Sequence, residues 1–517
     1  MMEIIEQLVT INCAVALVFG TLGGLIIGAL PGLSATMGMA LLIPFTYGMD
    51  SAAAMIMIGA VYVSAVYGGS FSAILIHTPG TPASAATALD GYPLTLQGEG
   101  LRALGISTVS SVIGGVLSAL ALLFTAPQLV KVSLAFSAPE YFLIAVFGLT
   151  IVGSLSSENM LKGLIGAAFG LLVGMVGMNI FPYARYSFGI FHLASGIGLI
   201  PAMIGLFSFS QVLIQSEKRL RGNVSTAAAE EERKELDRLI ENAKNMKGRF
   251  FPTWEELKNL TPIFIRASIL GIFVGILPGA GGDIGSWVGY NDAKSRSKNK
   301  ELFGKGSFEG IAGSETGNNA VCGGALIPAL TLGIPGSAAA AVMLGALTVQ
   351  GFVPGRELFT KYAPMTYAIL IGFLIANILM GVFGYLISKH AVRMAALPPG
   401  ILLPIIMVLS VVGSFAMNNA IFDVYVMLFF GVIGYIMRKY DFPAAPVVLA
   451  LILGPMAERS LINSIQMSRG NVWYYYASRP LCWLFLILTI VSLLSPYVSK
   501  KLKERKARRA SQETAQS

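Results

Sequence analysis

The chain has 517 residues, 55% of them hydrophobic and only 12% charged, where a soluble globular domain carries about 25% charged residues. That balance excludes a soluble enzyme or a nucleic-acid-binding domain and indicates a polytopic protein solvated by a lipid bilayer. The formal net charge of +9 is no nucleic-acid footprint, because much of it lies in the tail 500–509, a cytoplasmic flank.

In chain order, the N-terminus has no Lys or Arg ahead of its first apolar run. It makes a poor signal peptide and reads as a retained first helix over 12–30. Pro31 and Gly32 end that helix, and a second apolar piece over 33–47 completes a re-entrant hairpin or broken helix. A span follows over 51–67. Segments 70–78 and 83–89 then flank a break at Pro79-Gly80. Neither reaches the ~20 residues that a crossing needs, so they read as half-helices. Runs at 103–127, 141–155, 161–179 and 193–215 have spanning length. Residues 217–260 are polar, mixed in charge, and read as a surface linker. Beyond it, 262–277 leads to a break at Pro278-Gly279, and 283–290 leads out to the basic loop 294–305. Segments 311–333 and 338–349 flank a break at Pro335-Gly336. Further spans are expected over 364–388, 400–415, 420–437 and 443–457, with a last helix at 478–497.

These segments form two copies of one plan. GALPG from Gly28 to Gly32 matches GILPG from Gly275 to Gly279, and Thr78-Pro79-Gly80-Thr81 matches Ile334-Pro335-Gly336-Ser337. Leu94 to Gly98 matches Leu347 to Gly351, Val152 to Ser154 matches Val412 to Ser414, and Phe181-Pro182 matches Phe442-Pro443. Five ordered matches about 250 residues apart argue for internal duplication. Paired interrupted apolar segments in two halves point to the site of a secondary transporter. The organisation is a first transmembrane repeat over 1–216, a cytoplasmic linker over 217–260 and a second repeat over 261–466. A final helix over 467–499 and a basic tail over 500–517 follow. No Lys or Arg precedes Arg102, whereas the linker, the 294–305 loop and the tail are rich in them. The positive-inside rule therefore puts the N-terminus outside and the C-terminus in the cytoplasm. It makes 262–290 a re-entrant hairpin and the two repeats inverted. The fold class is all-α, polytopic, with two inverted repeats containing re-entrant or broken helices and one extra C-terminal helix.

The breaks carry the chemistry. Broken backbone survives in a membrane only where protein or a water-filled cavity covers it. A half-helix N-terminus carries roughly +0.5 elementary charge and suits an anion, while free carbonyls suit a small cation such as Na+. Ser34, Thr36, Thr81, Ser84 and Ser337 add uncharged hydroxyls after the breaks. Back-bonding to their own helices is the competing role. Asp283 either coordinates a cation or carries a proton, or serves as a first-turn carboxylate on its half-helix. Glu315 reads as nearer the cytoplasmic mouth. Asn318 and Asn319 offer donors and acceptors together, with helix packing as the alternative. His77 precedes the second break and reads equally as a titrating group or a neutral hydrogen-bonded one. His192 and His390 read as interfacial. Cys13, Cys322 and Cys482 are far apart, with no disulfide or metal spacing. No catalytic motif is present, and the sequence around Lys305 lacks the glycine and hydroxyl of a phosphate loop. The chain is expected to be no enzyme, to need no cofactor, and to draw on a Na+ or H+ gradient. A passive channel or pore for small organic anions is the rival.

At these motifs the chain resembles the large membrane subunit of the bacterial tripartite tricarboxylate transporters. The resemblance rests on GALPGLSATMG from Gly28 to Gly38, HTPGTPA from His77 to Ala83, GILPGAGG from Gly275 to Gly282, ETGNNA from Glu315 to Ala320, and LGIPGSA from Leu332 to Ala338. Residues 140–154 and 441–458 fit as well. The resemblance implies a cation-coupled importer of citrate-like tricarboxylates or other carboxylates, working by alternating access in the bacterial inner membrane. It implies two partners, a small four-helix membrane subunit and a periplasmic solute-binding protein. Carried to this chain, the substrate site comprises Ser34, Thr36, Thr78, Thr81, Asn318, Asn319 and Ser337. The coupling-ion site comprises Asp283 with carbonyls at Gly279, Gly281 and Gly282. The helix breaks are Pro31, Gly32, Pro79, Gly80, Pro278, Gly279, Pro335 and Gly336.

Overall fold

Apolar sequence punctuated by Pro-Gly pairs can bury its backbone only as helices with capped ends, and the described chain is helical throughout. The computed structural model describes residues 2–133, 135–155, 160–178, 183–221, 248–279, 281–388, 390–391 and 399–494. Most of the linker, the basic tail and the Phe181-Pro182 pair lie outside them. Among the described residues the one isolated extended pairing is between Gly177 and Arg185.

The helices are α1 (Met2–Leu8), α2 (Ile11–Ala29), α3 (Ala35–Leu42), α4 (Ser51–Ile76), α5 (Ala85–Leu96) and α6 (Gly100–Ser133). They continue as α7 (Ala138–Leu155), α8 (Met160–Gly174) and α9 (Leu199–Glu217), the last containing a π turn at Ile204–Phe209. The second half has α10 (Trp254–Ile276), α11 (Gly281–Arg296), α12 (Phe308–Leu332), α13 (Ala338–Val349) and α14 (Ala363–Ser388). It closes with α15 (Pro399–Asn418), α16 (Ile421–Lys439), α17 (Ala445–Met467) and α18 (Pro480–Leu494). Nine described helices, α2, α4, α6, α9, α10, α14, α15, α16 and α17, are long and apolar enough to cross a membrane. One expectation is corrected. Segment 70–78 is not a half-helix, because it is the end of α4, which runs unbroken for 26 residues; α12 likewise runs unbroken for 25. Glycines inside both helices admit neighbours. Gly68 faces the Leu25 carbonyl, and Gly324 faces that of Ile272. Of the segments that flank the second and fourth breaks, α5 and α13 are short, at 12 residues each.

Several turns and hydrogen bonds recur at matching positions of the two halves. Gly32 and Gly279 both turn through left-handed backbone, at φ 86° and 82°. α4 ends on His77 at φ 55° and α12 on Gly333 at φ 75°. The Gly80 N–H donates to the Gly69 carbonyl at 3.2 Å, and the Gly336 N–H donates to the Ala325 carbonyl at 3.3 Å. Gly80 presses on the Gly28 carbonyl as Gly336 presses on that of Gly275. Serines cap the helix after the first break in one half and after the second break in the other, Ser34 on α3 and Ser337 on α13. Each copy also reaches into the other. The Gln97 amide donates to the Lys305 carbonyl at 2.9 Å, and the Gln350 amide to the Thr46 carbonyl at 3.2 Å.

Packing groups the helices into two compact units. The larger holds the described residues within 2–133 and 198–436. There α2 packs on α4, and α10 and α11 pack on α12, while α6 and α14 pack on each other and on α12 and α4 respectively. In the same unit α15, from the second copy, packs on α9, from the first. The smaller unit holds the described residues within 134–197 and 437–494, and there α7 and α8, from the first copy, pack on α17, from the second. Its buried Glu140 pairs with Arg479 and accepts the Ser137 N–H at 2.9 Å, tying the start of α18 to the start of α7. A second ion pair joins Arg185 and Glu458 at 2.6 Å.

The glycine-on-carbonyl contact leaves no room for a methyl group. Gly336→Ala should destabilise the protein by about 1–3 kcal/mol through overpacking. Gly23→Ala, with open space at its Cβ position, should stay within about 0.5 kcal/mol of the parent. Thermal melts and size-exclusion profiles of the purified variants check this; equal melts would show that the break is not packed as described.

Candidate functional site

The breaks bring half-helix N-termini together inside the larger unit. At the third break the Gly281 N–H donates to the Gly336 carbonyl of the fourth at 3.5 Å, so the two breaks of the second copy meet directly. Gly282 then lies against the side-chain oxygen of Asn318, with Ala83 of the second break beside it. Ser337 is nearly buried. Its hydroxyl accepts the Ala340 N–H at 3.1 Å and bonds the Tyr62 hydroxyl at 3.0 Å. Thus α4 and α12 each contribute a polar group at equivalent depth before their caps, Tyr62 in one copy and Asn318 in the other.

Asn318 is the most telling of the expected residues. It is fully buried, and both its amide nitrogen and its oxygen lack a hydrogen-bond partner. Leaving both ends of a buried amide unmet costs free energy that packing alone does not require. Asn319 donates to the Glu315 carbonyl at 3.3 Å, and its own oxygen is unmet. Thr81 is nearly buried, with its hydroxyl against Gly69 and its N–H directed at the Ser84 hydroxyl at 3.4 Å.

The remaining residues are placed differently. Ser34 accepts the Met37 N–H at 3.2 Å as the cap of α3, and the adjoining Gly32 lies against Gln211 and Gln215 of α9. Thr36 is half-buried on the first turn of α3, which packs on α13. Thr78 is exposed, and its hydroxyl donates back to the Ile76 carbonyl at 3.2 Å. Asp283 is exposed in the first turn of α11, where its carboxylate accepts its own N–H and that of Ile284. The first-turn geometry expected as one of its two roles is therefore present. Gly279 and Gly281 have left-handed backbone, at φ 82° and 67°.

Two acids that the sequence reading underweighted are central. Glu315 does not sit at a mouth. It is fully buried on α12, bonded by the Thr87 hydroxyl of α5 and by the Ser111 hydroxyl of α6 at 2.8 Å. Ser70 of α4 and Ser107 of α6 face the same carboxylate and bond nothing else. Ser107 and Ser111 stand one helical turn apart, a spacing that puts both on one face and was visible in the sequence. Asp90 is fully buried on α5. One of its carboxylate oxygens accepts three backbone N–H groups from the loop before α12, those of Gly304, Gly306 and Ser307, at 2.7, 3.0 and 2.9 Å. No spacing rule connects Asp90 to a loop so far along the chain.

The model of the tripartite tricarboxylate transporter TctA family matches residues 14–449. A relative from Agrobacterium vitis, described as an uncharacterized 52.8 kDa protein in the TAR-I ttuC' 3' region, is 33% identical over 488 residues, covering 94% of each chain. A second from the same organism, an uncharacterized protein in the TAR-II ttuC' 3' region, is 33% identical over 234 residues, covering 45% of this chain and 97% of its own. No solved structure matches the chain.

Asp90→Ala removes a carboxyl acceptor from three backbone donors and should cost about 2–3 kcal/mol. Amide exchange at 304–307 should accelerate selectively, while Asp90→Asn, which keeps an acceptor oxygen, should be milder. Hydrogen exchange followed by mass spectrometry reads both.

Proposed function

Because the chain belongs to the tripartite tricarboxylate transporter TctA family, we propose that it is the large membrane subunit of a secondary importer of citrate-like carboxylates. The observation that carries this reading is the unmet amide of Asn318, set beside the N-terminal turn of α11 and the second break. Backbone N–H groups at a helix N-terminus hold a carboxylate by charge-assisted hydrogen bonds. The Asn318 amide adds a donor for the substrate and an acceptor for its hydroxyl or protonated carboxyl group. Thr81, Asn319 and Ser337 line the same breaks. Ser34 and Thr36 lie at the first break, on the side where α3 packs on α13.

The substrate carries several negative charges, so import against a negative-inside potential needs a driving cation. Alternating access suits a chain built on two copies of one plan, since one group of helices can move against another. In the bacterial inner membrane the N-terminus faces the periplasm and the C-terminus the cytoplasm, with the repeats inverted. A small four-helix membrane subunit and a periplasmic solute-binding protein complete the system, the latter delivering substrate to the outer face.

The test is uptake in proteoliposomes holding the chain and its small partner, with the binding protein outside. Labelled citrate, then a panel of di- and tricarboxylates, should accumulate above equilibrium under an inward Na+ or proton gradient. Flux that only equilibrates would replace the carrier with a pore. Asn318→Ala should lower uptake at least about tenfold, equivalent to about 1.4 kcal/mol. Its melting temperature should hold, because the deleted amide bonds nothing in the protein. A parallel fall in stability and uptake would return Asn318 to a packing role.

A further inference from the structure

The Glu315 pocket is more than a buried acid. Carboxylates inside a membrane protein are expensive unless a charge or a proton neutralises them, and among the described residues no Lys, Arg or His pairs with Glu315. Around it stand hydroxyls from three helices, Ser70 on α4, Thr87 on α5, and Ser107 and Ser111 on α6. All are fully buried. The oxygens of Ser70 and Ser107 accept from no donor, so their lone pairs are free to face a ligand.

The duplication supplies an internal control. The paired caps His77 and Gly333 register α4 on α12, and the paired serine and threonine Thr81 and Ser337 register α5 on α13. In that register Glu315 corresponds to Gly59, and Thr87 corresponds to Met343. The first-copy position is apolar, with Phe373 and Met343 filling the space beside Gly59. The polar pocket therefore occurs once, where the scaffold occurs twice, and helix packing alone did not require it.

We propose that Glu315 and the hydroxyl oxygens of Ser70, Thr87, Ser107 and Ser111 form the binding site for a coupling Na+. The charge balance selects a monovalent ion, since one carboxylate neutralises one positive charge and a divalent ion would leave a buried charge unpaired. All the donors are oxygens, as a hard cation prefers. A proton would occupy one carboxyl oxygen and leave Ser70 and Ser107 without a role. Hydroxyl hydrogens rotate freely, so Thr87 and Ser111 can turn their lone pairs inward when the ion enters, Thr87 keeping Ser314 as a hydrogen-bond partner at 3.0 Å. This site replaces Asp283 and the nearby glycine carbonyls as the place of coupling. It rests on the carrier reading above. Because α12 carries Asn318 and Asn319 on the turn after Glu315, filling the cation site orders the segment that meets the substrate.

The test uses the purified full chain in nanodiscs, with NaCl titrated against choline chloride at constant ionic strength. Melting temperature should rise saturably with Na+ in the parent chain and in Ser414→Ala, a buried hydroxyl on α15. It should be flat in Glu315→Gln. The Ser70→Ala/Ser107→Ala double variant, which keeps the carboxylate, should show the Na+ response shifted to at least about tenfold higher concentration, so the test survives if Glu315→Gln fails to fold. In proteoliposomes Glu315→Gln should exchange substrate across the membrane yet lose Na+-driven accumulation. Three outcomes would overturn the site: Na+ stabilisation unchanged in Glu315→Gln or in the double variant, a response to pH with none to Na+, or no response in the parent chain. Na+ stabilisation that depends on Glu315, in a chain that moves no carboxylate, would support the site and refute the substrate reading.

Discussion

The structure depends on one steric allowance. A helix that stops inside a membrane protein exposes backbone donors and acceptors that lipid cannot meet, so another piece of backbone must lie against the stop. Here the glycine of each second break presses on a carbonyl one turn before the first break, Gly80 on Gly28 and Gly336 on Gly275. The N–H of the same glycine bonds into α4 or α12. Only a residue without a Cβ permits that approach. The contact converts two Pro-Gly interruptions, far apart in sequence, into one covered junction. The N-terminal turn of α11 then lies beside Asn318 and Ala83 of the second break.

The two copies use this junction differently. Where they agree, they agree in caps, turns and hydrogen bonds, down to the reciprocal reach of Gln97 and Gln350 into the other copy's loop. Where they differ, one copy is apolar and the other polar. Tyr62 satisfies its hydroxyl on Ser337, whereas Asn318 in the equivalent position bonds nothing. Gly59 packs under Phe373 and Met343, whereas Glu315 sits among hydroxyls. Asp90 likewise has no acidic counterpart on α13, and it staples the loop before α12 to α5. A duplicated scaffold with unduplicated polar groups separates framework from chemistry. The repeated residues hold the breaks closed, and the unrepeated ones leave buried polar atoms beside them.

Much of this was legible in the chain itself. Pro-Gly pairs in apolar surroundings mark breaks because proline lacks a donor and glycine relaxes φ, and both effects are local. Matched motifs in order mark a duplication for the same reason. α4 runs past the span expected over 51–67 because Gly68 and Gly69 read as its end in the sequence, and only the neighbour that fills the empty side of Gly68 shows otherwise. Glu315 is fully buried rather than at the cytoplasmic mouth, and the hydroxyls that surround it come from three other helices, which no pattern local to its own segment records.

The sequence by itself determined the helical class, the positions of the breaks, the doubling of the plan and the family resemblance, since each depends on residues a few positions apart or on a pattern repeated whole. Only the tertiary structure decided which polar residues are buried without a partner, which of two acids sits at the centre, and which copy's hairpin packs with which copy's last helix. Those outcomes turn on approaches of a few ångströms between segments hundreds of residues apart. Free energy there is set by whether a donor finds an acceptor or a carbonyl finds an empty Cβ position, and no local pattern records that.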